Sequence, residues 1–97
     1  MYKTDLDYFD IERGISFGDM EWTFDEYDAT ATDNLEEAKQ NVRDGADWIA
    51  SEVDDIVIFT IYEESDGKKT PVYVMANCTK SAGIKYGIKA DEYLIEN

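Results

Sequence analysis

Residues 33–53, DNLEEAKQNVRDGADWIASEV, decide how the rest of the chain can be arranged. Asp33 stands three residues before Glu36, the acidic form of a capping box, whose side-chain oxygens satisfy the free amides of a first helical turn. Leu35, Ala38, Val42, Ala46, Ile49 and Val53 then recur at spacings of three and four. At about 100° per residue they fall in one narrow stripe, so the segment is expected to be an amphipathic helix with a single buried face. Glu36, Glu37, Asp44 and Asp47 lie on the far side, toward water.

Upstream, residues 6–17 mix Leu6, Tyr8, Phe9, Ile11, Ile15 and Phe17 with Asp5, Asp7, Asp10 and Glu12. This reads as a strand bent near Gly14, with a short helical turn over 5–11 as the alternative. Gly18-Asp19 is expected to turn the chain. Met20, Trp22 and Phe24 alternate with Glu21, Thr23 and Asp25, the pattern of a half-buried strand, and a bulge is expected after Glu26.

Downstream, residues 56–62, IVIFTIY, are β-branched and aromatic on both parities, which suits a central strand covered on both faces or at least flanked on both sides. Asp66-Gly67 marks a hairpin tip, and residues 70–78 return as a strand with Pro71 near its start. Ile84, Tyr86 and Ile88 between Lys85, Gly87 and Lys89 read as a fifth, edge strand guarded by lysines. Residues 90–97 form a last helical turn or a frayed end. The expectation is one α+β domain spanning residues 1–97: an antiparallel sheet of four to five strands in the order β-β-α-β-β-β, with one helix packed on one face.

Charge is the strongest global signal: 23 Asp and Glu oppose 9 Lys and Arg, with no histidine, for a net −14. Residues 1–66 hold 20 of the acids and only Lys3, Arg13, Lys39 and Arg43 as bases, whereas residues 67–97 hold 3 acids and 5 bases. Direct binding of nucleic acid or of an anionic membrane is disfavoured, because phosphate contacts need basic groups, and a basic protein partner is favoured. No basic-then-apolar start and no long apolar run occurs, so the expected location is the cytoplasm. Asn77-Cys78-Thr79 fits the glycosylation pattern, an accidental match in a chain without a secretory signal.

Catalytic templates are missing. Without histidine there is no Ser-His or Cys-His pair and no imidazole ligand, and no phosphate-binding glycine loop is present. Cys78 alternates with Val72, Val74 and Ala76 and is expected to be a small core residue. Asp5-x-Asp7 and Asp25-Glu26-x-Asp28 are the densest carboxylate groups, and neither continues into a calcium loop. No enzyme activity, metal or other cofactor is expected.

The plain explanation for the acids is solvation. Against it stands their cost: like charges at neighbouring helix positions destabilise by about 0.2–0.5 kcal/mol per pair. Carboxylates three or four apart on a helix sit roughly 5–6 Å from one another, a spacing comparable with that of phosphates along a nucleic-acid strand. Trp48 projects off the Leu35–Val53 stripe beside the acidic face. It either folds over the sheet edge to complete the core or serves as an aromatic anchor inside an acidic rim. Tyr27, Tyr62 and Tyr73 are similar candidates, while Trp22, in phase with Met20 and Phe24, is assigned to the core.

In size, α+β build, acidity and lack of catalytic residues the chain resembles the small nucleic-acid-mimicking inhibitors carried by bacteriophages and mobile elements, including anti-CRISPR and anti-restriction proteins. The resemblance rests on no shared motif, so no residue role is carried over from it. It implies a non-enzymatic inhibitor, acting in the host cytoplasm, that occupies the basic nucleic-acid channel of a defence enzyme as a monomer or small homo-oligomer. Asp25, Glu26, Asp28, Glu36, Glu37, Asp44, Asp47 and Trp48 are the expected contact residues. The alternatives are an acidic interaction module, such as a dimer through the Ile84–Ile88 edge, and a carboxylate-based metal binder or enzyme.

Overall fold

A strand with apolar residues on both parities needs cover above and below, and that requirement organises the molecule. The computed structural model describes residues 1–10, 15–21, 32–50 and 56–96. Its elements are β1 (Tyr2–Asp10), β2 (Ile15–Glu21), α1 (Leu35–Ala50), β3 (Ile56–Ser65), β4 (Lys68–Ala76), α2 (Lys80–Tyr86) and β5 (Glu92–Tyr93). The five strands form one sheet in the order β2-β1-β3-β4-β5. The pairs β1–β2, β1–β3 and β3–β4 are antiparallel, and β5 adds in parallel to the end of β4.

The α+β class and the antiparallel ladder agree with expectation, and β3 is the central strand, as its composition requires. Val57, Phe59 and Ile61 point to one face and join Leu6, Met75 and the α1 residues Ala38, Val42 and Ala46 in a buried cluster. Burying Val42 completely contributes about 1.5–3 kcal/mol. Ile56 and the half-buried Ile58 point to the other face, where they meet Phe9, Ala76, Cys78, Ile88 and the α2 residues Ala82 and Tyr86. The two helices therefore lie on opposite faces of the sheet.

The expected fifth strand over 84–88 is instead the helix α2. Thr79 caps it by accepting from the Ala82 amide at 3.1 Å, and Gly87, at φ 73°, ends it. The Gly87 and Ile88 amides return to the Ile84 and Gly83 carbonyls, closing a Schellman motif. The fifth strand is Glu92–Tyr93, so residues 90–96 form neither a last helical turn nor a frayed end, and a dimer through a strand edge at 84–88 has no edge to use.

Two further corrections concern turns and caps. Gly18-Asp19 does not turn the chain but lies within β2: between the pairs Leu6↔Met20 and Tyr8↔Phe17, both residues face Asp7 alone, making a bulge. Residues 6–17 are not one bent strand: β1 starts at Tyr2 and ends at Asp10, Ile15 and Phe17 belong to β2 and pair back on it, and no helical turn forms over 5–10. The α1 cap is Asn34, not Asp33: its Oδ1 accepts from the Glu36 amide at 3.0 Å and the Glu37 amide at 3.2 Å. Thr32 prepares this entry by accepting from the Asn34 amide and by bridging to Tyr2 of β1. The hairpin tip falls where expected, with Asp66 at φ 52° and Gly67 at φ 77°, the paired left-handed conformations of a tight two-residue turn. The expected core position of Trp22 and the bulge after Glu26 lie outside the described residues.

Asn34→Ala should destabilise the domain by about 1 kcal/mol and lower the thermal midpoint by about 4–8 °C, whereas Asp33→Ala should leave both nearly unchanged; calorimetry on the two variants checks this.

Candidate partner-binding surface

The same packing that buries Ala38, Val42 and Ala46 turns the opposite side of α1 outward. Glu36, Glu37, Gln40 and Asp44 are exposed there, and Asp33 is exposed just before the cap. Glu36 and Glu37 sit in the first turn, where the partial positive charge of the helix start favours carboxylates. Glu37 and Asp44, two turns apart, are separated along the axis by roughly 10 Å, and Asp44 accepts from the Gln40 amide group at 2.9 Å.

The two cations of α1 are held against the body of the protein. Lys39 Nζ reaches Glu36 at 3.2 Å and stands 4.2 Å over the Tyr73 ring, so the lysine side chain is only 16% exposed while that of Glu36 is 76% exposed. Arg43 makes a two-pronged bond to Glu92 of β5, Nη2 to Oε1 at 2.7 Å and Nε to Oε2 at 2.9 Å, and the Tyr73 hydroxyl donates to the same carboxylate at 3.0 Å. The Arg43 hydrogen bonds hold the Glu92 carboxyl below the usual carboxylate range against the opposing effect of burial, with the Tyr73 hydroxyl adding to the lowering. Glu92 in turn raises the Arg43 guanidinium. Burial first, and then the bond to Glu92, push up the Tyr73 phenol.

Of the expected contact residues, α1 brings Glu36, Glu37 and Asp44 together on one exposed side. Asp47 and Trp48 lie in the last turns of α1 with side chains outside what is described, and Asp25, Glu26 and Asp28 lie outside the described residues. Tyr62 and Tyr73, suggested as aromatic anchors, are half-buried beneath Lys69 and Lys39 respectively. Several acids that the composition counts toward the surface are paired within the fold. Asp5 is buried and takes Lys69 at 2.9 Å, and Glu64 takes Lys3 at 3.4 Å.

Cys78 is buried in the second cluster, and burial pushes its thiol up, away from nucleophilic use. Asn77 is buried beside it and donates to the Ala46 carbonyl at 3.2 Å, so its amide is not presented for glycosylation. Among the described residues no group of three or more His, Cys, Asp or Glu could hold a metal ion, and no helix is long and apolar enough to cross a membrane. A shallow hollow lies at the hairpin tip between Glu63, Ser65, Asp66, Lys68 and Thr70. Set against known protein families, curated proteins and solved structures, the chain matches none of them.

The pH dependence of the Arg43–Glu92 bond follows from its sign. The folded carboxyl titrates below its unfolded value of about 4.3, so its stabilising contribution is complete above that value and is lost as pH falls through the folded one. Urea titrations should find Glu92→Gln less stable than the parent at about pH 7, with the difference closing as the pH falls below the unfolded carboxyl value of about 4.3.

Proposed function

We propose that this chain is a non-enzymatic inhibitor that offers an acidic, nucleic-acid-mimicking helix face to the basic channel of a nucleic-acid-processing enzyme, of the anti-CRISPR or anti-restriction kind. The observation that carries this is the orientation of charge on α1: Glu37 and Asp44 are exposed along one side with no cation bonded to them among the described ion pairs, Glu36 beside them pairs with Lys39, which rests over Tyr73, and Arg43 is drawn in against Glu92. A net charge of −14 supplies long-range attraction to a basic receptor and fast association. Capped at Asn34 and anchored by its buried stripe, the helix holds its carboxylates on a rigid mount, so little ordering entropy is lost on binding. Such a partner places the protein in the cytoplasm of the cell whose enzyme it blocks.

The test compares the parent with the variant Glu37→Lys/Asp44→Lys/Asp47→Lys, each immobilised and exposed to nuclease-treated bacterial lysate. The parent should retain a nucleic-acid-processing enzyme that is released by added salt and by a competing duplex oligonucleotide. The variant should retain none while its thermal midpoint stays within a few degrees of the parent's, because relieved repulsion along the helix offsets the loss of Glu37 from the first turn and of the Gln40–Asp44 bond. Retention by the variant at physiological salt, or a captured protein that the duplex does not displace, would overturn the proposal.

A further inference from the structure

On the other face of the sheet the charge pattern reverses. The buried side of α2 is formed by Ala82, Gly83 and Tyr86, and its outward side by Lys80, Ser81, Ile84 and Lys85. Ile84 stands near the middle of that outward side and is 69% exposed, the highest value among the exposed large hydrophobic residues. Lys80 and Lys85 flank it, and Lys89 follows just beyond the Gly87 cap, all exposed. Of the five other described cations, Lys3, Lys39, Arg43 and Lys69 each bind a carboxylate of the fold, and Lys68 stands exposed at the hairpin tip. Lys80, Lys85 and Lys89 bind none among the described residues, and the only ring contact of the three is Lys85 Nζ, 5.3 Å from the Tyr86 centroid.

The surface is also held rigid. Thr79 and Gly87 close both ends of α2. Gly83 lies so close to Tyr93 that a Cβ there would run into the ring, and the Tyr93 hydroxyl donates to the Ile88 carbonyl at 2.9 Å. A fixed aliphatic side chain ringed by flexible ammonium groups has the apolar centre and polar rim of a protein contact.

We propose that α2 is a docking surface for an acidic protein segment that carries an aliphatic side chain, packed on Ile84, between carboxylates that pair with Lys80, Lys85 and Lys89. Charge complementarity selects this occupant. A phosphate backbone would find the lysines but would leave Ile84, 69% exposed, with no apolar partner. Either polyanion meets the repulsion of a chain of net charge −14, screened beyond about 8 Å at a salt concentration of about 0.15 M, so the apolar contact at Ile84 decides between them. Because α2 lies across the sheet from α1, this contact is independent of the inhibitor proposal, and either can fail without the other.

The experiment is a titration of the isotope-labelled full chain at about 0.15 M salt with the blocked peptide Glu-Glu-Leu-Leu-Glu-Glu, followed through backbone amide resonances. Saturable shifts confined to residues 79–90 are expected. Their midpoint should weaken by roughly tenfold in Ile84→Gln, in Lys80→Gln/Lys85→Gln/Lys89→Gln, and when the peptide leucines are replaced by serine. The substituted side chains are exposed, so unchanged resonances from β1 and β3 will show that each variant is folded. Absence of shifts, equal shifts from the serine peptide, or the same shifts from an oligothymidine would overturn the proposal. So would shifts produced by raising the concentration of the chain alone, since the occupant would then be a second copy.

Discussion

The two-sided apolar character of β3 is the constraint on which the rest of the structure depends. Val57, Phe59 and Ile61 need a cover on one face, and Ile56 and Ile58 need another on the opposite face. One amphipathic helix can satisfy only the first. The second face is closed by the seven residues of α2, whose small Ala82 and Gly83 bring the helix close and whose Tyr86 packs against Phe9 with ring centroids 5.7 Å apart. Toward the hairpin the positions on that face are Asp5, Lys3, Tyr62 and Glu64, where Lys69 pairs with the buried Asp5 and Lys3 with Glu64.

The two layers are joined by the shortest strand in the sheet. Successive strand residues point to opposite faces, and β5 uses that alternation with only two residues. Glu92 reaches over to Arg43 of α1, and Tyr93 packs beneath Gly83 of α2. Pairing with Met75 and Ala76, together with the Asp91 and Leu94 amides bonding to Val74 and Ala76, holds this piece in register. The segment after α2 thus couples both helices to β4. Its influence comes from where its residues land, since two strand residues contribute little ladder of their own.

Much of this was legible in the sequence, and the failures have identifiable causes. The α1 stripe, the central position of β3, the Asp66-Gly67 hairpin and the buried Cys78 all follow from periodicity and turn chemistry, which act locally. Residues 84–88 misled because Ile84, Tyr86 and Ile88 mimic a strand period. In fact Ile84 faces water, while Tyr86 and Ile88 pack through a helix and the chain after its cap. The correcting signals were present: Thr79 before the segment and Gly87 after it are helix punctuation. The apolar residues on both parities of 56–62 also demanded a second cover that a single helix could not supply. Gly18-Asp19 misled differently, because a bulge and a turn draw on the same residue types. The Arg43–Glu92 bond and the burial of Asp5 join residues far apart in sequence, and no local pattern announces them. For the candidate contact surface, exposure of Glu36, Glu37 and Asp44 was legible from the helical wheel, whereas the inward course of Lys39 and Arg43 depended on the location of Tyr73 and Glu92.

The partition of charge separates two ways of being acidic. A protein whose carboxylates serve only to keep it dispersed gains nothing from sorting its cations, and interspersed signs would relieve repulsion along α1. Here the cations nearest the acidic helix face are drawn toward the body of the protein. Lys39 rests over Tyr73 and Arg43 is bonded to Glu92, leaving Glu37 and Asp44 without a basic neighbour among the described ion pairs. Of the other described lysines, Lys80, Lys85 and Lys89 lie near Ile84 on the opposite face, Lys3 and Lys69 pair with Glu64 and Asp5, and Lys68 is exposed at the hairpin tip. Among the described residues, the exposed carboxylates of α1 and the exposed lysines of α2 lie on opposite faces of the sheet, with the two apolar clusters between them. That separation follows from the same two-sided strand that requires two helices, so the feature that builds the core also keeps the charges apart.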